Sequence, residues 1–357
     1  MQGMRRISDL ARMSVLGALY GTLFSIPIIY FFRERGVVPS LVCVAAMGIL
    51  TSWWYARKIK VERVRLSMRQ ITDETGALLK LGIVFMASVL MVMGTAYLTR
   101  IIVLRKINLE AAGCFQAAWN LGNLYINFIL QAMGADFYPR LTAVANDHAE
   151  CNRLVNEQAE VGLLLAGPGV IATLTFAPLV MQLFYTSKFW PAVEVLRWIC
   201  LGMTLRVASW PMGFILLAKG ERKLFFWSEL LSNLLYMGLV WLGVGFWGLK
   251  GTGIAFFGLY VAYWIGIYII VRRLSGFRWS SANRRVVLLL APTVAVVFVS
   301  WYFLSSLAAM IFGAAITLLA GIYSFRTLCA LVPFEQMPSP VRKMIMFFRS
   351  LLPNTNV

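Results

Sequence analysis

Ten apolar stretches, each near the ~20 residues that a helix needs to cross a bilayer core, alternate along the chain with short polar or basic segments. They cover residues 13–32, 37–55, 79–99, 113–135, 161–184, 193–218, 224–246, 251–271, 286–304 and 306–325. The pattern predicts an all-α, polytopic helical membrane protein of about ten transmembrane helices. Arg100, Arg105 and Lys106 interrupt the apolar signal between the third and fourth stretches. Gly17 and Gly21 form a small-xxx-small pair in the first, which lets a neighbouring helix approach closely. Between the fourth and fifth, residues 141–159 place Leu141, Val144, Ala145, Cys151, Leu154 and Val155 at helical spacing, with Asp147, Glu150, Arg153 and Glu157 opposite. That amphipathic pattern suits a helix lying at the membrane surface, and residues 333–357 repeat it with Arg342, Lys343 and Arg349 among apolar residues.

Composition agrees with the pattern. Of 357 residues 60% are hydrophobic and 13% charged, and the mean hydropathy is +0.75, which excludes disorder and an ordinary water-soluble domain. The 33 Lys and Arg outnumber 15 Asp and Glu, for a formal charge of +18. In a soluble chain this excess would suggest nucleic acid; here it lies between apolar segments, and no nucleic-acid module is implied. With a cytoplasmic N-terminus, 24 of the 33 basic residues fall on the cytoplasmic side and seven outside. Both termini therefore read as cytoplasmic. Arg5, Arg6 and Arg12 precede the first apolar stretch, but no small-residue cleavage site follows it, so it reads as a retained helix.

Much familiar chemistry is disfavoured. The five cysteines, Cys43, Cys114, Cys151, Cys200 and Cys329, are scattered singly and form neither a disulfide framework nor a zinc pattern. One histidine, His148, cannot build a multi-histidine metal site, so no metal or cofactor is expected. Gly243, Gly245 and Gly248 spell GxGxxG, but they end an apolar stretch and follow no strand, so they predict a flexible turn and no dinucleotide site. Asp73 and Glu74 stand in a basic segment without a Gly-rich phosphate loop, which supports no glycosyltransferase or ATPase site.

Two polar stripes remain. Gln116, Asn120, Asn123, Asn127 and Gln131 recur at spacings of four, three, four and four, which puts five carboxamides on one narrow helix face, continued by Gly134 and Tyr138. Amides facing lipid are costly, so the stripe faces either other helices or a water-filled cavity. A cavity is favoured, since carboxamides at every turn suit sugar hydroxyls. Glu229, Ser232, Asn233 and Tyr236 form a shorter stripe at i, i+3, i+4 and i+7. An acid in an apolar helix is either a coupling group for protons or cations, or the partner of an intramembrane Arg. Arg206, deep in the sixth stretch, is a ligand-facing candidate for phosphate; Arg100, at a helix end, is expected to snorkel. Glu194 and Arg197, one turn apart, are expected to pair locally.

The segments AAGCFQAAWNLGNLYINFILQAMGADFYPRLTAVAN (residues 111–146) and LFYTSKFWPAVEVLRWICLGMTLRVASWPMGFILLAKGERKLFFWSELLSNLLYMGL (residues 183–239) resemble O-antigen translocases, the Wzx-type flippases of the MOP exporter superfamily. The first resembles the family's seventh and eighth transmembrane helices, with a Gln- and Asn-bearing helix and a Tyr-Pro-Arg exit. The second resembles its SKF turn, Arg-bearing helix, Ala-Lys turn and Glu-bearing helix. The resemblance spans roughly residues 5–275 and rests on hydropathy and scattered identities. It implies two helical lobes around a cationic cavity, with Arg206, Glu229, Asn233 and the Gln116 to Gln131 stripe on the substrate pathway. By this likeness the first helix matches the family's fifth, so about four N-terminal helices are missing. Residues 1–78 would be a remnant of the first lobe with a basic linker, 79–275 the second six-helix lobe, 276–332 two additional helices and 333–357 a basic amphipathic tail.

The activity implied is translocation of an undecaprenyl-pyrophosphate-linked oligosaccharide, such as an O-antigen unit, across the bacterial inner membrane. No enzyme activity is implied. Membrane lipids are expected partners, and polysaccharide polymerase and chain-length machinery are candidates. Two other classes stand beside it: a drug or small-molecule exporter of the same superfamily, and an O-antigen polymerase-type enzyme. The short outer loops leave no room for the large periplasmic loop that the polymerase family resembles.

Overall fold

In the computed structural model, residues 7–57 and 68–331 are described, and they are helical without a strand among them. The basic lead Arg5 and Arg6, part of the basic linker, and the amphipathic tail 333–357 lie outside the described residues. Eleven α-helices follow one another: α1 (Ile7–Phe32), α2 (Val37–Ala56), α3 (Met68–Lys106), α4 (Leu109–Ala143), α5 (His148–Thr175), α6 (Ala177–Phe184), α7 (Ala192–Ala218), α8 (Arg222–Trp247), α9 (Lys250–Ser275), α10 (Ser281–Phe303) and α11 (Ser306–Leu331). Among the described residues, eight stretches are long and apolar enough to cross a membrane, and the first of them, Arg12–Ala56, holds most of α1 and all of α2. The chain is a multi-pass helical membrane protein. α4 is outside that set because its amides lower its apolarity.

Contacts divide the chain into two compact units, residues 1–83 with 134–140, and residues 84–133 with 141–357. In the first, α1 and α2 form a hairpin through a 3-10 turn, Arg33–Gly36. A Cβ on Gly17 would meet Thr51 Oγ1 at 3.0 Å and one on Gly21 would meet Val44 at 3.2 Å. Both expected small residues thus sit in the α1–α2 seam, where van der Waals packing replaces the hydrophobic effect that lipid removes.

The second unit is built around α7, which packs against α5 and α9 and buries Leu196, Ile199, Met203, Val207 and Met212. Small residues again set the spacing: a Cβ on Gly202 would lie 2.5 Å from the Phe256 ring. α10 and α11 pack on α5 within this same unit. Asn156 of α5 ties the α9–α10 linker down, accepting from Ser280 N at 2.8 Å and from Asn283 Nδ2 at 3.0 Å, and donating to Arg278 O at 3.1 Å. Helix starts follow local chemistry. Asn108, Asp147 and Ser280 accept from otherwise orphaned N–H groups at the starts of α4, α5 and α10.

Three expectations change. The surface helix over 141–159 is not a separate element: α4 runs to Ala143 and α5 starts at His148 and continues to Thr175. Its apolar positions Cys151, Leu154, Val155 and Ala159 continue in register with Leu163, Ala166 and Val170, so they are buried by protein. Arg153 pairs with Glu150 and Glu157 on the open face. The fifth stretch, 161–184, breaks at Phe176, where Pro178 restarts the chain as the short α6. The GVGFWG turn is tight, not loose. Gly248 takes φ 56°, and a Cβ on Gly243 would lie 2.6 Å from the Gly251 carbonyl oxygen.

Candidate functional site

A cavity of about 620 Å³ opens within the second unit, walled by α3, α4, α7, α8 and α9. Its polar centre is Arg206, fifteen residues into α7 counting from Ala192. The guanidinium donates to Asn123 Oδ1 at 2.8 Å, and Asn123 in turn donates to the Trp119 carbonyl at 2.8 Å. The α4 amide therefore orients the α7 cation toward the cavity. Tyr260 of α9 and Glu229 of α8 are further polar neighbours of Arg206, and Ser88 of α3 neighbours Glu229. Asn233, which also lines the cavity, donates to the Glu229 carbonyl at 2.8 Å, an i−4 bond.

The structure separates the amide stripe. Asn123 and Asn127 line the cavity, as do Arg206, Glu229, Asn233, Ser232 and Tyr236. Gln116, Asn120 and Gln131 do not: Gln116 donates to Asn120 Oδ1 at 2.6 Å, and Asn120 and Gln131 are exposed. Five residues on one face span about 20 Å of helix, and the neighbouring helices enclose only the middle of that length. Arg100, expected to snorkel, also lines the cavity while remaining exposed.

Sequence reasoning missed the aromatic wall. Trp119 meets Phe256 edge-on at 5.3 Å, Phe256 meets Tyr260 at 4.9 Å, and Tyr260 meets Tyr263 at 6.1 Å. On α7, Trp210 and Phe214 lie 4.5 Å apart. The signal was available: Phe256, Tyr260 and Tyr263 stand at i, i+4 and i+7, as Ser88, Thr95 and Thr99 stand at i, i+7 and i+11.

Away from the cavity, Glu194 and Arg197 pair at 2.9 Å, as their spacing suggested. Lys250 adds a second cation 3.3 Å from Glu194, Tyr302 donates to Glu194 at 3.1 Å, and the Arg197 guanidinium stacks 3.9 Å from the Trp301 ring. This cluster joins α7, α9 and α10. Among the described residues no group of three or more His, Cys, Asp or Glu is placed to hold a metal, and all five cysteines are free.

A family model described as "Polysaccharide biosynthesis protein" matches residues 4–194, more than half of the chain. The chain belongs to that family. Two solved structures share the fold of this polysaccharide biosynthesis protein. One is the Lipid II flippase MurJ in an inward closed conformation, at 11% identity and a TM-score of 0.60, covering 88% of this chain and 67% of that one. The other is the outward-facing conformation of a multidrug resistance MATE family transporter of the MOP superfamily, at 16% identity and a TM-score of 0.60, covering 76% and 62%. The chain thus spans about two thirds of the length of either. No curated protein sequence matches it.

Proposed function

We propose that this chain is a membrane translocase that moves an undecaprenyl-pyrophosphate-linked oligosaccharide, such as an O-antigen unit, from the cytoplasmic to the periplasmic leaflet of a bacterial inner membrane. The observation that carries this reading is the Arg206 guanidinium, held by Asn123 in the wall of a membrane-protein cavity rich in aromatic rings and hydroxyls, whose lining also includes Arg100. A pyrophosphate needs a cationic partner, and Arg meets it with paired N–H donors. Sugars need amides, hydroxyls and aromatic faces. The volume of about 620 Å³ lies within the ~300–1,000 Å³ usual for small-ligand sites, enough for a headgroup and a short glycan but not a polymer. The polyprenyl tail stays in lipid.

Family membership in polysaccharide biosynthesis and a transporter-type fold support the assignment. In this reading both termini are cytoplasmic, and Glu229 beside Arg206 is the acid that couples transport to an ion gradient. Arg206→Ala in the full chain tests it. The variant should reach the membrane at wild-type abundance and lose surface polysaccharide display in a strain that depends on this protein. Normal display at normal abundance refutes the assignment of Arg206 and, with it, the reading of the cavity as the route.

A further inference from the structure

The ends of α9 and α10 that meet across the linker 276–280 carry five arginines, Arg272, Arg273, Arg278, Arg284 and Arg285, and all five are exposed. No Asp or Glu occurs between Glu229 and Glu335, and none of the five guanidinium groups is in an ion pair with a described residue. The acids of the neighbouring helix α5 are engaged elsewhere or set apart: Asp147 caps its first turn, Glu150 and Glu157 pair with Arg153, and Glu160 is buried.

The arginines are held together by the chain beneath them. Asn152 and Asn156 stand four residues apart on α5, about 6 Å along its axis. Asn152 donates to the Ser275 carbonyl and accepts from the Ser275 hydroxyl, each at 2.8 Å, while Asn156 donates to the Arg278 carbonyl and accepts from Ser280 N and Asn283 Nδ2. The end of α9 and the start of α10 therefore converge on one turn of α5. Gly276 closes α9 in the left-handed region at φ 67°, and Phe277 is wholly buried. Every one of the five arginines lies within five residues of Ser275 or Ser280.

Charges that serve only to orient a helix must be on the right side of the membrane, but they need not be pinned. Five like charges gathered at one pinned point repel one another unless an anion lies among them. Arginine is also the residue that meets a phosphate with paired N–H donors. One turn deeper the surface changes character: Leu288 and Leu289 follow Arg284 and Arg285 by four residues, Ile269 precedes Arg273 by four, and all three are exposed. Guanidinium groups above lipid-facing aliphatic side chains match an amphiphile with a phosphate over acyl chains. An acidic protein segment would use the charges and leave the aliphatic turn without a partner.

We infer that Arg272, Arg273, Arg278, Arg284 and Arg285 form a headgroup site for an anionic phospholipid of the surrounding bilayer. Leu288, Leu289 and Ile269 lie against its acyl chains. None of these residues lines the cavity around Arg206, so the site stands whatever that cavity carries. In the orientation proposed above, the lipid belongs to the cytoplasmic leaflet.

The test titrates the detergent-purified full chain with phosphatidylglycerol and, as a neutral control, phosphatidylcholine, and counts bound lipid by native mass spectrometry. Wild type should bind phosphatidylglycerol at least about thirtyfold more tightly than phosphatidylcholine. Two double variants remove the same charge, Arg284→Gln/Arg285→Gln within the site and Arg222→Gln/Lys223→Gln at the exposed start of α8. The first should weaken phosphatidylglycerol roughly tenfold and the second less than about threefold. Phosphatidylcholine binding should be unchanged in both, which also reports that each variant is folded. Should the glutamine pair at Arg284 and Arg285 fail to insert, Arg284→Lys/Arg285→Lys, which keeps the charge but loses the paired donors, decides instead: a severalfold loss supports the site and wild-type affinity overturns it. Equal affinity of wild type for the two phospholipids, or an equal loss in the two double variants, overturns the site and leaves the arginines only the task of orienting the helices.

Discussion

The crossing of α8 and α9 can be tested with a single methyl group. At Gly243, which is buried, an added Cβ would sit 2.6 Å from the Gly251 carbonyl oxygen and 3.1 Å from its carbon. A relaxed carbon-to-carbonyl contact is about 3.3 Å, so Gly243→Ala must move two backbones apart by about 0.7 Å. Backbone cannot swing aside as a side chain does. Overpacking of this kind costs about 1–3 kcal/mol, and a gap of ~0.5–1 Å forfeits roughly a quarter to a half of each dispersion contact along the seam. Against it, alanine is better than glycine in a helix by about 0.8–1.0 kcal/mol. Gly238, five residues earlier on the same helix, has no atom within 4 Å of its would-be Cβ. Gly238→Ala therefore collects the propensity gain without the clash.

The propensity terms cancel between the two variants, so the expected difference is the packing cost alone, about 1–3 kcal/mol with Gly238→Ala the more stable. Thermal unfolding of the detergent-purified protein, followed by the loss of its monodisperse chromatographic peak, should separate the pair by a few degrees. Transport should fall with Gly243→Ala as well, because Tyr236 on α8 and Phe256 on α9 stand 6.3 Å apart in the cavity wall and would be drawn apart. Equal melting temperatures, or a more stable Gly243→Ala, would show that the helices do not cross at these glycines.

Three further outcomes are expected. Asn156→Ala removes the side-chain bonds that hold the α9–α10 linker and should cost about 2–3 kcal/mol, read as a lower melting temperature and faster proteolysis at residues 276–280. Glu194→Gln leaves Arg197, buried at 6% exposure, without its anion; Glu194 is itself partly exposed, so the loss should be about 1–3 kcal/mol, and adding Arg197→Met should recover part of it in a double-mutant cycle. Glu229→Gln should leave binding of undecaprenyl pyrophosphate intact while making transport insensitive to an imposed ion gradient; transport that still follows the gradient would remove Glu229 as the coupling group.

The helical architecture was legible because a membrane imposes a length and a polarity on every span. The ten apolar stretches correspond to α1 to α4, to α5 with α6, and to α7 to α11. What was not legible is which face of a helix meets protein. Residues 141–159 have the alternation of an interfacial helix, yet Cys151, Leu154 and Val155 are buried by protein, and Asn156 on the same helix holds Ser280 of the α9–α10 linker, 124 residues away in sequence. An amphipathic pattern states that one side is apolar and the other polar; it does not state whether lipid or protein covers the apolar side. The amide stripe has the same ambiguity. Its spacing fixed a face, but only Asn123 and Asn127 fall where α7, α8 and α9 close around it.

The helix that fails the apolarity test is also the one that best marks the cavity. α4 carries Asn123, whose carbonyl oxygen holds Arg206 and whose amide nitrogen is satisfied on its own helix at the Trp119 carbonyl. In lipid that arrangement would be a liability, since each amide would seek a partner that hydrocarbon does not supply. In contact with Arg206 it becomes the means by which a guanidinium is kept at a fixed direction inside a membrane protein, paid for by removing α4 from the set of comfortable spans. Asn123→Leu should therefore raise the apolarity of α4 and help its insertion, yet weaken the binding of undecaprenyl pyrophosphate several-fold by releasing Arg206 from its orientation. If the leucine variant binds that lipid as wild type does, Arg206 needs no positioning partner, and the polar stripe of α4 owes its place to something other than the cation.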